Sequence, residues 1–136
     1  RTNIEFTAHG VLEFRKDDGE LVTRIAIEIA ESDSAQARGL MDRRSLPDRG
    51  GMIFVSPSSS QKSFWMRSTP LPLDIVFVVN DKINKIFPGC QPCNDNDCQR
   101  FTAAADMVYE FPSGTCDEWS EGDNVNLYLG TKYNPV

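Results

Sequence analysis

The run Leu73-Asp74-Ile75-Val76-Phe77-Val78-Val79 constrains this chain more than any other segment. It is too short for a buried helix, and its β-branched and aromatic side chains favour a strand. Pro70 and Pro72 before it hold their predecessors extended. Leu73, Ile75, Phe77 and Val79 share one face, and Val76 and Val78 the other. A strand that is apolar on both faces needs cover on both, which a barrel or a sandwich supplies. Asp74 enters this strand as a carboxylate expected to be at least half buried, so it needs a charged or multiply hydrogen-bonded partner. Arg38, Arg67 or backbone amides are the expected partners. The cluster is either an ion pair closing one barrel end or the lining of a pocket.

The remaining segments alternate over strand lengths. Ile4–Thr7, Val11–Phe14 and Leu21–Ala30 predict an N-terminal hairpin that turns at Lys16-Asp17-Asp18-Gly19. Asp33-Ser34-Ala35-Gln36 reads as a capping box opening a helix over 34–41, with Ala37, Leu40 and Met41 on one face and Arg38 at its margin. Pro and Gly make 46–51 a loop before strand Met52–Val55, and a second loop is expected at 56–60 before strand Phe64–Arg67. The central strand then turns at Asn80-Asp81-Lys82 into Ile83–Phe87. A polar loop over 88–102 precedes strand Asp106–Phe111, a short helix within Ser113–Glu121 and a last strand Val125–Leu129. About eight short strands and one or two short helices predict a mainly β fold, a single-domain antiparallel barrel or sandwich. The domain is expected to span residues 1–136.

Composition removes several function classes. Apolar residues at 40% and charged residues at 25% are ordinary globular values, and no apolar run approaches the roughly 20 residues of a membrane-spanning helix. A net charge of -6 repels a phosphate backbone, so no nucleic-acid partner is expected. The single histidine, His9, reads as a polar residue beside the turn at Gly10, because a zinc centre or catalytic triad would depend on it alone. Charge is uneven, with six basic and two acidic residues over 38–67 and six acidic and no basic ones over 106–123. These regions either pair in the fold or leave an anion-binding mouth near Arg38, Arg43 and Arg67.

The four cysteines, Cys90, Cys93, Cys98 and Cys116, cluster late in the chain. Cys90-Gln91-Pro92-Cys93 has C-x-x-C spacing, but in a Pro/Asn/Asp loop rather than at a helix start, so structural disulfides are preferred to a zinc or redox site. Loop geometry favours Cys93–Cys98 and Cys90–Cys116. Disulfides imply an oxidising compartment, periplasmic or extracellular. The start Arg1-Thr2-Asn3, without an initiator Met or an apolar signal core, fits removal of a signal peptide or lipoprotein anchor. Met41, Met52 and Met66 serve as adaptable core filler or, beside Trp65, as soft ligands for Cu(I).

Arg38-Gly39-Leu40-Met41, Gly51-Met52-Ile53-Phe54, Phe64-Trp65-Met66-Arg67-Ser68-Thr69 and Pro72-Leu73-Asp74-Ile75-Val76-Phe77, with Gly122-Asp123 near the end, resemble the DUF192 (UPF0127) family. The resemblance covers residues from about 21 to 129. It implies a small β-rich domain, often exported, whose reaction is unassigned. It points to Arg38, Met41, Met52, Trp65, Met66, Thr69 and Asp74 as the lining of any shared site, with Arg67 in place of a common Lys. Ser68 stands where the family commonly has Asn, which puts hydrogen bonds through that amide in question.

The expected function is therefore non-enzymatic binding of a small ligand, anionic by the local charge, near Arg38, Arg67 and Asp74, with no cofactor. The alternatives are an enzyme, either a hydrolase with Asp74 as base or a thiol oxidoreductase using Cys90 and Cys93, and a copper accessory protein using the methionines. No nucleophile with its activator stands out to support the enzyme.

Overall fold

The computed structural model describes residues 4–16, 18–47 and 49–129; residues 1–3, Asp17, Asp48 and residues 130–136 lie outside them. The alternating segments form seven strands: β1 (Gly10–Arg15), β2 (Leu21–Ala30), β3 (Gly50–Phe64), β4 (Leu73–Val79), β5 (Lys82–Cys90), β6 (Phe101–Pro112) and β7 (Asn124–Leu129). One short helix, α1 (Asp33–Arg38), joins β2 to β3. The strands close into a barrel in the order β1-β2-β3-β6-β4-β5-β7. This is the mainly β fold that the pattern predicts. β2 and β3 pair in parallel, because α1 carries the chain back to the same end of the sheet before β3 begins. The β4–β5 hairpin turns at Asn80 and Asp81, both left-handed at φ 49° and 63°, as a tight hairpin turn requires.

Strand alternation sorts the apolar side chains into two clusters. All seven strands contribute to the first, through Leu12, Ile25, Ile53, Val76, Ile83, Tyr109 and Val125, so it fills the barrel interior. Trp119, from the turns after β6, stacks on Phe14 at 4.4 Å and meets Phe111 edge-on at 5.3 Å. The second cluster holds Met52, Phe54, Ile75, Phe77 and Val108 with Leu40 and Met66, and lies on the outer face of β3, β6 and β4. The two apolar faces of β4 thus serve two cores: Val76 and Val78 point inward, and Leu73, Ile75 and Phe77 outward.

Several local expectations give way to tertiary structure. The Ser/Pro stretch 56–60 is a strand, not a loop, because β3 continues beside β6 to Phe64. Its pairing shifts register between Val55 and Ser60, and Pro57 is tolerated inside this irregularity. Phe64 therefore ends a strand, and Trp65–Arg67 lies outside the named strands apart from an isolated Arg67–Cys93 bridge. Ile4–Thr7 joins no strand; beyond β1, the edge of β2 is capped by the amide of Thr7 on Glu28 Oε1 and by His9 Nδ1, which accepts from the Ile29 amide at 2.9 Å. Helix α1 is capped by Ser32 rather than Asp33, with Ser32 Oγ accepting from the Ala35 amide at 3.1 Å. Gln36 does not return to the cap; its amide donates to the carbonyls of Ala30 and Val55, tying α1 to β2 and β3. Over 113–121 the chain makes successive turns without a helix.

Gly51 lies where β3 passes close to β6. A Cβ there would fall against the Phe111 ring and within 2.8 Å of the Glu110 carbonyl oxygen. Gly51→Ala is expected to destabilise the protein by about 3 kcal/mol, at the upper end of overpacking costs, because backbone blocks the relief. Urea denaturation of the variant checks this; a loss below about 1 kcal/mol would show that the strands can separate there.

Candidate functional site

A cleft of about 360 Å³ opens on the outer face of the barrel wall between α1 and the outer part of β3. Its walls are Gln36–Met41 from α1 and the following turn, Phe54, Ser56 and Lys62–Phe64 from β3, Trp65, Thr69, Arg100, and Val108 and Glu110 from β6. Gly39 makes this possible. At φ 51° it ends α1, and a side chain there would press a Cβ to 3.2 Å from the Phe54 ring. The aromatic wall is ordered edge to face, with Phe54 and Phe64 at 4.9 Å and Phe64 and Phe77 at 5.9 Å.

Three cationic side chains line the cleft: Arg38, Lys62 and Arg100. Arg38 is half exposed and reaches Asp42 Oδ2 at 3.5 Å. Arg100, although exposed, lies with its guanidinium carbon 3.9 Å from the Trp65 ring centroid, a cation–π contact that favours this position at the cleft. Thr69 Oγ1 donates to the Arg67 carbonyl, which fixes its rotamer in the turn that follows Trp65. In that turn Ser68 sits at φ 55°, a left-handed position that suits Asn better than Ser, which gives the departure at Ser68 a backbone cost rather than a lost ligand contact.

At the inner end of the cleft is Glu110, 4% exposed, paired across the sheet with Met52 of β3 and Ile75 of β4. Among the described residues no donor reaches its carboxyl, and burial pushes that carboxyl up to about 8. Burial thus favours the protonated, neutral form of this carboxyl, an O–H donor behind a cationic mouth. Neither Glu110, Lys62 nor Arg100 is among the residues picked from the sequence.

Of the residues that were, Arg38, Met41, Trp65 and Thr69 line the cleft. Met52 and Met66 are buried in the outer core beneath it, so the three thioethers do not share an open site. Asp74 is buried as expected at 1% exposure, but its partners are neither arginine. Its Oδ1 accepts from the Gly89 amide at 2.8 Å, and its Oδ2 from the amides of Gly114 at 3.1 Å and Cys116 at 3.0 Å. It points with Val76 and Val78, away from the cleft, and no longer fits the role of a hydrolytic base. Arg67 does not line the cleft; it donates to Asn96 Oδ1 at 2.7 Å and lies 5.7 Å from the Trp65 ring centroid. Arg43 is also withdrawn from any mouth; its fork pairs with both oxygens of Glu28 at 2.9 and 2.6 Å, and both residues are largely buried.

Cys93 and Cys98 form a disulfide. The expected Cys90–Cys116 bond is not made; both thiols are free and buried, one in each core cluster. Burial, with the Asp74 and Glu110 carboxyls as lesser contributors, pushes the Cys90 thiol up to about 12, and burial beside Asp74 raises Cys116 as well. With Cys93 bonded elsewhere and Cys90 held as the thiol, the Cys90/Cys93 pair is no redox couple. Among the described residues, no helix is long and apolar enough to cross a membrane.

A small closed barrel with a cationic, aromatic-walled cleft on its outer face is the class that fold and site define. The crystal structure of a protein from Sinorhizobium meliloti 1021, provisionally described as a transcription regulator, is similar, with a TM-score of 0.80, 25% identity and coverage of 92% of this chain and 98% of that one. A protein of unknown function from Novosphingobium aromaticivorans DSM 12444 is similar at a TM-score of 0.75, with 30% identity and coverage of 85% and 83%. No curated protein matches the chain. The profile of DUF192, described as an uncharacterized ACR, matches residues 13–127, and the chain belongs to this family.

Proposed function

We propose that this chain is a single DUF192-like domain that binds a small organic anion in the cleft between α1 and β3 without transforming it. The observation that carries this reading is a reversal of sign: a chain of net charge -6 gathers Arg38, Lys62 and Arg100 at one apolar-floored opening. Phe54, Phe64 and Val108 offer a dry wall for an aromatic or aliphatic body, while the guanidinium of Arg100, preset on Trp65, offers a planar fork for a carboxylate. The binding site is thus moved from the Arg38/Arg67/Asp74 grouping to Arg38, Lys62, Trp65, Arg100 and Glu110.

The Cys93–Cys98 disulfide supports an extracytoplasmic location, periplasmic or secreted. The description of the Sinorhizobium structure as a regulator is not carried over as DNA binding, since the net charge gives a phosphate backbone no footing.

Isothermal titration with benzoate is the direct test. Binding to wild type is expected, with Arg100→Ala weakening it roughly tenfold or more, the worth of one charge-assisted hydrogen bond. Arg67→Ala, at an arginine that does not line the cleft, serves as the control and should leave affinity within about twofold. Equal weakening by both variants would show that charge near Trp65, not the cleft, attracts the anion.

A further inference from the structure

Glu110 is unlike the other buried carboxylates of the molecule. Asp74 accepts three backbone amides, and Glu13 receives the guanidinium Nε atoms of Arg15 and Arg24 at 3.0 and 2.8 Å. Glu110, more than nine-tenths buried, has no donor in reach among the described residues, yet it forms part of the cleft wall. Its oxygens are not sealed off either, since the one sealed and unpaired side-chain polar atom among the described residues is Arg43 Nε. A fold that leaves a carboxyl group unsatisfied at the inner end of an open cleft leaves a hydrogen-bond position for whatever enters.

We propose that the unpartnered Glu110 carboxyl donates its O–H to an uncharged oxygen at the inner end of the ligand, and that the ligand class is an organic anion carrying a carbonyl or hydroxyl oxygen distal to its carboxylate. This rests on the anion-binding reading of the same cleft. The polarity of the site follows from its two ends. Arg38, Lys62 and Arg100 attract the charged head, and the inner acid cannot accept it at low cost once ionised, because two carboxylates would then share one desolvated pocket. The groups around Glu110 reinforce this order. β3 and β4 present Met52 and Ile75, β5 brings the Cys90 thiol, and α1 brings Arg38 to the same cleft, paired with Asp42 of the following turn. No charged side chain from β4 or β5 lines the cleft among the described residues.

The chemistry predicts a preference and a pH at which it ends. While Glu110 carries its proton it is a donor; once ionised it can only accept, and it repels an oxygen acceptor. Burial places that change near pH 8. The two forms of selectivity expected of such a site, for the distal oxygen and for acid over alkaline solution, should therefore vanish together.

The test compares three probes by isothermal titration: benzoate, 4-acetylbenzoate, which adds a distal carbonyl, and acetophenone, which keeps the carbonyl and lacks the carboxylate. At about pH 6, 4-acetylbenzoate is expected to bind wild type roughly three- to tenfold more tightly than benzoate, the worth of one hydrogen bond, and acetophenone most weakly. At about pH 9.5 the ratio of the first two should fall to about one; taking the ratio removes any change at the cationic rim. Glu110→Gln keeps an N–H donor and should hold the preference at both pH values, while Glu110→Met should lose it at both. Benzoate binding without a preference for 4-acetylbenzoate, or a preference that persists in Glu110→Met, would overturn the role of Glu110 and leave the anion cleft standing. Failure of wild type to bind either benzoate or 4-acetylbenzoate would overturn the anion reading, and this inference with it.

Discussion

Asp74→Ala is expected to cost roughly 3–6 kcal/mol of stability, a large share of the total for a chain of this size. The substitution strands the amides of Gly89, Gly114 and Cys116, which the carboxylate gathers at 2.8 to 3.1 Å in a site 1% exposed. Each buried donor left without a partner costs about 1–3 kcal/mol, and local relaxation recovers part of the sum. These amides belong to the end of β5 and to the turns after β6, so Asp74 holds together two segments that the sheet ladder does not. Asp74→Asn should lose less, because its carbonyl oxygen still accepts, although its NH2 group then faces amide donors. Chemical denaturation gives the size, with an unchanged m-value marking a loss of stability rather than of native compactness. A cost below about 1 kcal/mol for Asp74→Ala would mean that water replaces the carboxylate. The folded Asp74→Asn protein should bind benzoate as wild type does, which separates this structural carboxylate from the cleft.

Asp74 also shows how far the sequence can be read. That it would be buried followed from the apolar residues on both sides of it, a purely local pattern. That backbone amides could partner it was legible too, but not which ones or that they would prevail over the arginines, because that depends on where Gly89, at φ 60°, and the turn at Gly114, at φ 97°, place their N–H groups. The arginines offered the correct charge but the wrong position: Arg38 ends a helix on the outer face, and Arg67 bridges to Cys93 and donates to Asn96. The strand order of the barrel is likewise absent from alternation, which specifies faces and not neighbours; β6 pairs with both β3 and β4 over long separations in sequence.

Glu110 is not legible in the sequence, although the pattern that marks Asp74 as buried is present around it. Met107, Val108, Tyr109 and Phe111 make its strand apolar on both faces, but Asp106 shares the face of Glu110 and made that face look solvated. Asp106 instead lies toward the β4–β5 turn, where its Oδ2 accepts from the Asn80 amide, while Glu110 is carried under the cleft. Lys62 and Arg100 were hidden for another reason. Lys62 falls between the loop expected at 56–60 and the strand expected from Phe64, Arg100 lies in the polar loop, and only the extension of β3 along β6 brings both to one opening.

The burial of Glu110 carries its own consequence for stability. Its carboxyl holds its proton up to about 8 in the folded protein against an ordinary value of 4.5. Below about 4.5 both the folded and the unfolded states are protonated there, and the contribution of the site to stability is fully present. As pH rises through the interval up to about 8, the unfolded chain releases a proton that the native state keeps, so stability falls; above it the loss is complete. At about 1.4 kcal/mol per pH unit, the decline from this one group is roughly 3–6 kcal/mol. Glu110→Gln cannot titrate, so its stability curve should lack this decline. The variant is expected to be no more stable than wild type at about pH 4, where its buried amide still wants partners, and several kcal/mol more stable at about pH 9. Denaturation midpoints of both proteins measured across that range give the difference directly, since the other titrating groups are common to both. Parallel curves would show that water or a rearranged donor already satisfies the carboxylate, whereas curves that cross would identify Glu110 as a group whose proton the fold retains at a cost in stability, in the place where an incoming ligand can use it.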